Sequence, residues 1–247
     1  MLELRKAARF LFISANVMDS ASAKPIFTPF FVLTAGNKSF GVTGVTSPFK
    51  YGAAGIKFQN PVESLQKIIP TLQKKADYIV VLAAVNNEDE LSLINANLPI
   101  DFMLIAGMYR YSQSLDLKGK GVIARAGTLG KYVGIITAEI NAPEKSLEDI
   151  SNINTQIQYA TYRLQAFEQS AGGKPLEEYY SDKLSLLKII HDLQALQKDL
   201  ENRKKNIANS LNFNLVPLDE KIADDPVVRR KLEACYKNLR KINISEH

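Results

Sequence analysis

The sequence is poor in the side chains that most enzymes and metal sites use. Its 247 residues include one cysteine, two histidines and no tryptophan. The single cysteine, Cys235, excludes an intrachain disulfide, a cysteine-cluster metal site and the paired cysteines of c-type haem attachment. Because His247 is the last residue, a metal centre or a catalytic triad would depend on His191 alone.

Long hydrophobic runs are also missing. The apolar stretches YIVVLAAV and FMLIAGM have the length of strands and fall short of the ~20 residues that span a membrane. The N-terminal MLELRKAARFLFISAN lacks the pattern of a secretory signal. The net charge of +5 comes from scattered basic residues, without the aromatic-interleaved basic stripe of a nucleic-acid-binding protein. We therefore expect a globular chain without a membrane span and without nucleic acid.

Residues 1–141 alternate between strand-like and helix-like segments, which predicts a layered α/β sheet. A helix is predicted over 60–76, where Asn60 fits the N-cap and Pro61 the first helical position. A second, shorter helix is predicted over 88–97. The predicted strands are 9–16, 27–35, 39–47, 77–85, 101–108, 121–127 and 131–140, the last two forming a hairpin across TLGK.

Residues 142–211 change character and predict a helical hairpin. Apolar residues at spacings of 3 and 4 form a heptad seam from Ile150 to Phe167, and AGGKP then supplies a break. The second helix is predicted over 176–208, roughly 50 Å long. We interpret the hairpin as a coiled-coil-like arm that contacts a partner. Residues 212–247 are predicted to return to the core as a strand and to end in a capped helix.

Several segments, in order, resemble the calcineurin-like metallophosphoesterases in their 5′-nucleotidase-like branch. They are FLFISANVMDSASAKPIFTPFFVL, SFGVTGVTSP, KFQNPVESLQKIIPTLQKKADYIVVLA, LPIDFMLIAG and ARAGTLGKYVGII. The C-terminal LNFNLVPLDEKIADDPVVRRKLEACY resembles the end of this domain where it precedes a multihaem cytochrome c module. The resemblance implies a partial metallophosphoesterase-like sandwich with the hairpin inserted, a cytochrome partner and export to the periplasm.

Two departures from the family pattern predict that the metal site is lost. About a hundred residues with the D-x-H, G-D and G-N-H motifs precede this part in the family, and we expect this chain to lack them. Ala84 stands at the histidine of the S/A-H-x-G loop, and Met108 and Arg110 stand at the two histidines of G-H-S-H. A methyl, a thioether and a guanidinium group cannot replace imidazoles around a divalent ion. The stretch IDFMLIAGMYRYSQ therefore resembles an emptied metal loop, and no cofactor is expected.

The resemblance and these departures predict a non-catalytic pseudoenzyme that acts in assembly. Strands left uncovered would associate, so we expect a homo- or hetero-oligomer with Phe12 and Phe30 at the contact. Arg110, Tyr109 and Tyr111 are candidates for an anion or partner contact, and ordinary packing and ion pairing is the alternative for them.

The predicted contact surface also includes part of the heptad seam, namely Ile150, Ile157 and Leu164. Two other functions stay open. One is half of a split metal-dependent phosphoesterase or 5′-nucleotidase that another chain completes. The other is a small-molecule binder that uses Arg110 and the nearby tyrosines.

Overall fold

The computed structural model describes residues 6–48, 54–107, 109–118, 121–142 and 145–244, with the backbone alone from 238. The strands are β1 (Val17–Asp19), β2 (Phe30–Ala35), β3 (Lys38–Thr46), β4 (Ile56–Phe58), β5 (Tyr78–Ala84), β6 (Phe102–Ala106), β7 (Asp116–Lys118), β8 (Gly121–Arg125), β9 (Tyr132–Ile140), β10 (Glu148–Asp149) and β11 (Asn209–Pro217). The helices are α1 (Pro61–Gln73), α2 (Asn87–Asn95), α3 (Ser151–Ala171), α4 (Leu176–Tyr179), α5 (Leu184–Lys205) and α6 (Pro226–Ile244).

A six-stranded sheet with the order β2-β3-β5-β6-β8-β7 forms the centre of the α/β part. Its four inner strands, β3, β5, β6 and β8, run parallel, and the two edge strands are antiparallel to their neighbours. Inner parallel strands carry apolar residues on both faces, and the continuous run Tyr78–Ala84 of β5 has this composition. Both faces of the sheet therefore need a cover.

Helices α1 and α2 cover one face of the sheet. Leu65 and Leu72 of α1 and Val81 of β5 are fully buried in the resulting core. The start of α1 matches the predicted one, because the Asn60 side chain accepts hydrogen bonds from the N–H groups of Val62 and Glu63 at 2.9 and 3.1 Å.

A three-stranded sheet with the order β10-β11-β9 covers part of the other face. Leu211 and Phe213 of β11 pack there against Tyr78, Phe102 and other residues of the large sheet. Two sheets and a helix layer make the layered α/β sandwich that the sequence predicts. Among the helices described, none is long and apolar enough to cross a membrane.

Two strand predictions are wrong. Residues 9–16 do not form a strand, since the only pairing described there is a single bridge from Ile13 to Thr28. Residues 121–127 and 131–140 do not form a hairpin, because β8 pairs with β6 and β7 whereas β9 pairs with β11. The chain between them passes from one sheet to the other. Val122 of β8 and Ile136 of β9 therefore belong to the same apolar cluster between the two sheets rather than to neighbouring strands of one hairpin.

The hairpin helices α3 and α5 pack on each other, but the second helix is shorter than predicted. The chain from Leu176 forms α4, then a break, and α5 begins only at Leu184. The seam residues Ile150 and Leu164 are 5% and 8% exposed and Ile157 is partly buried, all within apolar clusters of the hairpin. The prediction that this seam contacts a partner is therefore corrected for Ile150 and Leu164, because their side chains are buried within the chain itself.

Phe12 and Phe30, predicted to share one contact surface, lie in different environments. The Phe12 ring stacks on Phe27 with centroids 5.9 Å apart. Phe30 packs at the margin of the helix-covered core, and the Lys75 ammonium nitrogen lies 5.8 Å from its ring centroid. The two rings therefore do not form one patch.

Asn16 connects three segments of the α/β part. It is fully buried, and its Nδ2 donates to the carbonyl oxygens of Thr46 and Gln59 at 2.7 and 3.0 Å. Its Oδ1 accepts from the Thr46 N–H at 3.0 Å and from the Ser14 hydroxyl at 3.3 Å. This side chain thereby fixes the end of β3 against the segments that lead into β1 and out of β4.

We expect Asn16→Ala to lower the free energy of unfolding by about 3 kcal/mol, because buried backbone groups lose their partners. Asn152→Ala is the matched control, since Asn152 is an exposed residue of α3 and should change stability by less than about 0.5 kcal/mol. Urea unfolding followed by circular dichroism measures both. Equal midpoints for the two variants would contradict this role of Asn16.

Candidate functional site

The carboxyl ends of the inner parallel strands meet at one edge of the six-stranded sheet. This edge is where α/β sheets usually bind ligands. Ser47 follows β3, Asn86 follows β5, Arg110 follows β6 by four residues, and Arg125 ends β8. The segment predicted to be an emptied metal loop therefore lies at the expected edge.

Ala84 ends β5 at this edge and is exposed. It is paired in register with Thr46 of β3 on one side and with Ala106 of β6 on the other. A methyl group offers no lone pair to a metal ion, so Ala84 does not fit the ligand role that the resemblance assigns to its position. Met108, the second such position, lies outside the described residues.

Arg110, the third such position, takes part in an ion pair. Its Nη2 donates to Oε2 of Glu90 at 3.1 Å, and the side chain of Asn87 lies 3.5 Å from the same nitrogen. The Arg110 side chain remains 60% exposed. A permanent cation without a lone pair does not fit a metal-ligand position, so Arg110 acts here as a partner of α2.

Glu90 is the centre of a charge cluster that the sequence analysis did not identify. It is 1% exposed, and its Oε1 accepts from Nη2 and Nε of Arg125 at 2.6 and 2.9 Å. Arg125 Nη1 also donates to Asp116 at 2.5 Å. Burial alone lowers the pKa of Arg125, but the hydrogen bonds to Asp116 and Glu90 outweigh it and raise the pKa above its ordinary value. Arg125 is therefore always charged.

A signal for this cluster was present in the sequence. Glu90 lies three residues before the buried Leu93 of α2, on the inner face of that helix. Arg125 alternates with the buried Ile123 along β8, so both residues were placed to face inward. Two opposite charges at inward positions predict a buried pair.

The helix start at this edge is held by polar side chains. Asn86 caps α2, its Oδ1 accepting from the N–H of Asp89 at 2.9 Å. The Ser47 hydroxyl donates to the Asp89 carboxylate and accepts from the N–H of Asn86 at 3.0 Å. These contacts support the local structure at the start of α2.

The two tyrosines that flank Arg110 differ in their contacts. Tyr109 is 87% exposed. Tyr111 stacks on Tyr132 of β9 with centroids 4.8 Å apart, which joins the predicted metal loop to the smaller sheet. His191 is remote in sequence from this edge, on α5, where its Nε2 lies 3.7 Å from Glu177.

An apolar surface adjoins the charge cluster. We name the side chains of Leu82, Ala84 and Ala106 the open apolar face, because all three are exposed and alternation along β5 and β6 turns them away from α1 and α2. Leu82 is 41% exposed.

Two cavities meet at Leu82 and Ala84 of this face. One, of about 340 Å³, extends to Phe12 and Phe27. The other, of about 560 Å³, extends to Ala124 of β8 and to Ile136 of the smaller sheet. Helices α1 and α2 and the smaller sheet leave part of the large sheet uncovered. This uncovered part is apolar and is bordered by the two cavities.

Comparison with known proteins identifies the class of this fold. No protein-family model matches the chain. The chain is 25% identical over 184 residues to a 5′-nucleotidase of Vibrio cholerae, which covers 68% of this chain and 30% of that protein. A sulfate thiohydrolase of Thermus thermophilus superposes with a TM-score of 0.52 at 20% identity, covering 56% of this chain and 27% of that one. A Staphylococcus aureus protein assigned as a 5′-nucleotidase superposes with a TM-score of 0.50 at 16% identity, covering 56% and 31%.

The α/β part therefore has the fold of the metallophosphoesterases. Within that class, the resemblance to the 5′-nucleotidase-like branch is confirmed by the curated relative. The chain spans less than a third of the length of each of these three proteins.

We expect Glu90→Gln to lower the free energy of unfolding by about 3 kcal/mol, because it leaves the buried Arg125 with only the exposed Asp116 as a charged partner. Arg110→Ala should cost less than about 1 kcal/mol, because Arg110 is largely exposed. Urea unfolding of both variants measures the difference. A Glu90→Gln protein as stable as the wild type would show that the ion pair between Glu90 and Arg125 does not stabilise the fold.

Proposed function

We propose that this chain is a non-catalytic, metallophosphoesterase-like subunit that acts by assembling with another protein through the open apolar face. The observation that carries the proposal is the set of side chains at the carboxyl edge of the sheet. In the enzymes that the chain resembles, this edge holds metal ligands. In this chain the edge carries the ion-pair cluster around Glu90 and adjoins the open apolar face.

The chemistry of the edge supports the loss of activity. Ala84 offers a methyl group, and Arg110 offers a cation that is already paired with Glu90. Among the residues that the structure describes, no three or more His, Cys, Asp or Glu side chains lie close enough together to hold a metal ion. Phosphoester hydrolysis by a metal-activated water needs such a group.

The apolar face supports assembly. Burying one large apolar side chain is worth roughly 1.5–3 kcal/mol, so a surface of this kind favours association. Its two cavities give a partner side chain room to insert. Tyr109 and Arg110, exposed beside this face, would add an aromatic and a charged contact, as is common at interfaces.

The resemblance of the C-terminal stretch suggests that the partner is a multihaem cytochrome c and that the complex is exported to the periplasm. We also propose a division into an α/β core (1–141), a hairpin (142–211) and a C-terminal part (212–247). The split phosphoesterase remains the second candidate, because the curated relative over 68% of this chain is a 5′-nucleotidase.

We expect the purified protein to bind no stoichiometric Mn, Fe or Zn and to hydrolyse neither nucleotides nor p-nitrophenyl phosphate above the blank. Metal analysis by mass spectrometry and phosphate release measure this, with an active 5′-nucleotidase assayed alongside as the positive control. One or two metals per chain, with activity that chelation removes, would favour the split enzyme instead.

Without its partner, we expect the protein to self-associate at micromolar concentration, because the open apolar face is exposed to water. Leu82→Glu and Phe12→Glu should each shift it towards the 27.5 kDa monomer. Leu91→Glu is the matched control, because Leu91 is 59% exposed on α2, outside this face. Light scattering measures all four proteins. A monodisperse wild-type monomer would contradict the proposed contact.

A further inference from the structure

The C-terminal helix α6 is formed and capped but buries none of its described side chains. Every residue from Pro217 to Lys237 is exposed. Asp225 caps the helix, its Oδ1 accepting from the N–H groups of Val227 and Val228 at 2.8 and 2.9 Å. Surface helices usually bury one apolar face against a core. Helix α6 therefore presents a face that the described part of the chain leaves uncovered.

The uncovered face is apolar. At 100° per residue, four residues between Pro226 and Lys237, the part of α6 whose side chains are described, fall within one arc, and we name them the apolar stripe: Val228, Leu232, Cys235 and Tyr236. Val228, Leu232 and Tyr236 are 54%, 50% and 62% exposed, and the thiol of Cys235 is also exposed.

Cations border this stripe on both sides. By the same helical spacing, Lys231 lies next to one border and Arg229 next to the other, while Arg230 and Lys237 lie on the opposite face. The one acidic residue of the helix, Glu233, accepts a hydrogen bond from Nε of Arg229 at 3.3 Å.

The net charge of the protein resides in this helix. Residues 226–244 contain six basic residues and one acidic residue, a net charge of +5, and the whole chain has a net charge of +5. The remaining 228 residues hold 25 basic and 25 acidic residues. The sequence expectation that the basic residues are scattered is therefore incomplete, because their excess is confined to α6.

We propose that α6 binds the surface of an anionic lipid membrane, lying parallel to it with the apolar stripe at the boundary between headgroups and acyl chains. An apolar arc bordered by Lys and Arg is the composition of helices that lie in this interface. A membrane surface presents phosphates on both sides of the helix at once, which matches cations at both borders better than an acidic protein groove does. The stripe belongs to α6 and not to the open apolar face, so this inference does not rest on the proposed function.

Co-sedimentation of the full chain with vesicles tests the proposal. We expect binding to vesicles of phosphatidylglycerol and phosphatidylcholine, little binding to pure phosphatidylcholine, and a marked loss of binding at high salt, because screening weakens exposed charge pairs. Equal binding to both kinds of vesicle, or no binding to the anionic ones, would overturn it.

Variants of α6 separate its charge from its apolar stripe. Arg229→Gln and Lys231→Gln, which remove the two cations at the borders of the stripe, should together weaken binding to anionic vesicles roughly thirty-fold, at about 1 kcal/mol for each basic residue. Leu232→Glu should weaken it by more than about ten-fold. Leu184→Glu is the control and should bind as the wild type does, because Leu184 is a 75% exposed leucine at the start of α5. Undiminished binding by Leu232→Glu would overturn the proposal.

The single cysteine supplies a readout of orientation. If the apolar stripe enters the interface, anionic vesicles should slow the reaction of Cys235 with a neutral maleimide, and phosphatidylcholine vesicles should not. An unchanged reaction rate on bound protein would overturn the proposed orientation. Binding to poly-glutamate without binding to anionic vesicles would overturn the proposal in favour of an acidic protein partner. Because the α6 side chains that the structure describes, up to Lys237, are all exposed, the urea midpoints of these variants should match that of the wild type.

Discussion

The need to cover both faces of a parallel sheet governs this structure. Strands β3, β5, β6 and β8 are apolar on both faces, so each face needs its own layer. Helices α1 and α2 supply one layer completely, with Leu65 and Leu72 fully buried. The sheet of β9, β10 and β11 covers only part of the other face, where Leu211 and Phe213 pack. The uncovered remainder is the open apolar face, and the proposed assembly depends on it.

The carboxyl edge of the sheet is occupied by an ion-pair cluster. The strand ends meet there, where α/β proteins usually place their ligands. Glu90 joins α2 to β8 through Arg125 and reaches Arg110 beyond β6. Removing a partner from a buried carboxylate that pairs with two guanidinium groups is costly. These ion pairs therefore stabilise the edge of the sheet.

The sequence predicted those elements whose signals are local. The cap at Asn60 and the continuous apolar run of β5 predicted α1 and β5 correctly. Predictions that depended on distant partners were wrong. The segment 121–140 has the pattern of a hairpin, but its strands find better partners in two different sheets. The sequence did not predict the role of Glu90, because a buried carboxylate is recognised only together with its cationic partner. That partner, Arg125, is 35 residues away in the chain.

The attachment of the hairpin has a mechanical consequence. Its base is bonded to β11 at several points: Ile150 N–H donates to the Leu211 carbonyl at 2.8 Å, and the Phe213 N–H donates to the Ser151 hydroxyl at 2.7 Å. Lys204, near the end of α5, bonds Asn154 at 2.9 Å. The far end, by contrast, lies about 30 Å away along α3. The hairpin is thus a lever fixed at β11, so a tilt of that strand by about 5° moves the tip by about 3 Å over such a length.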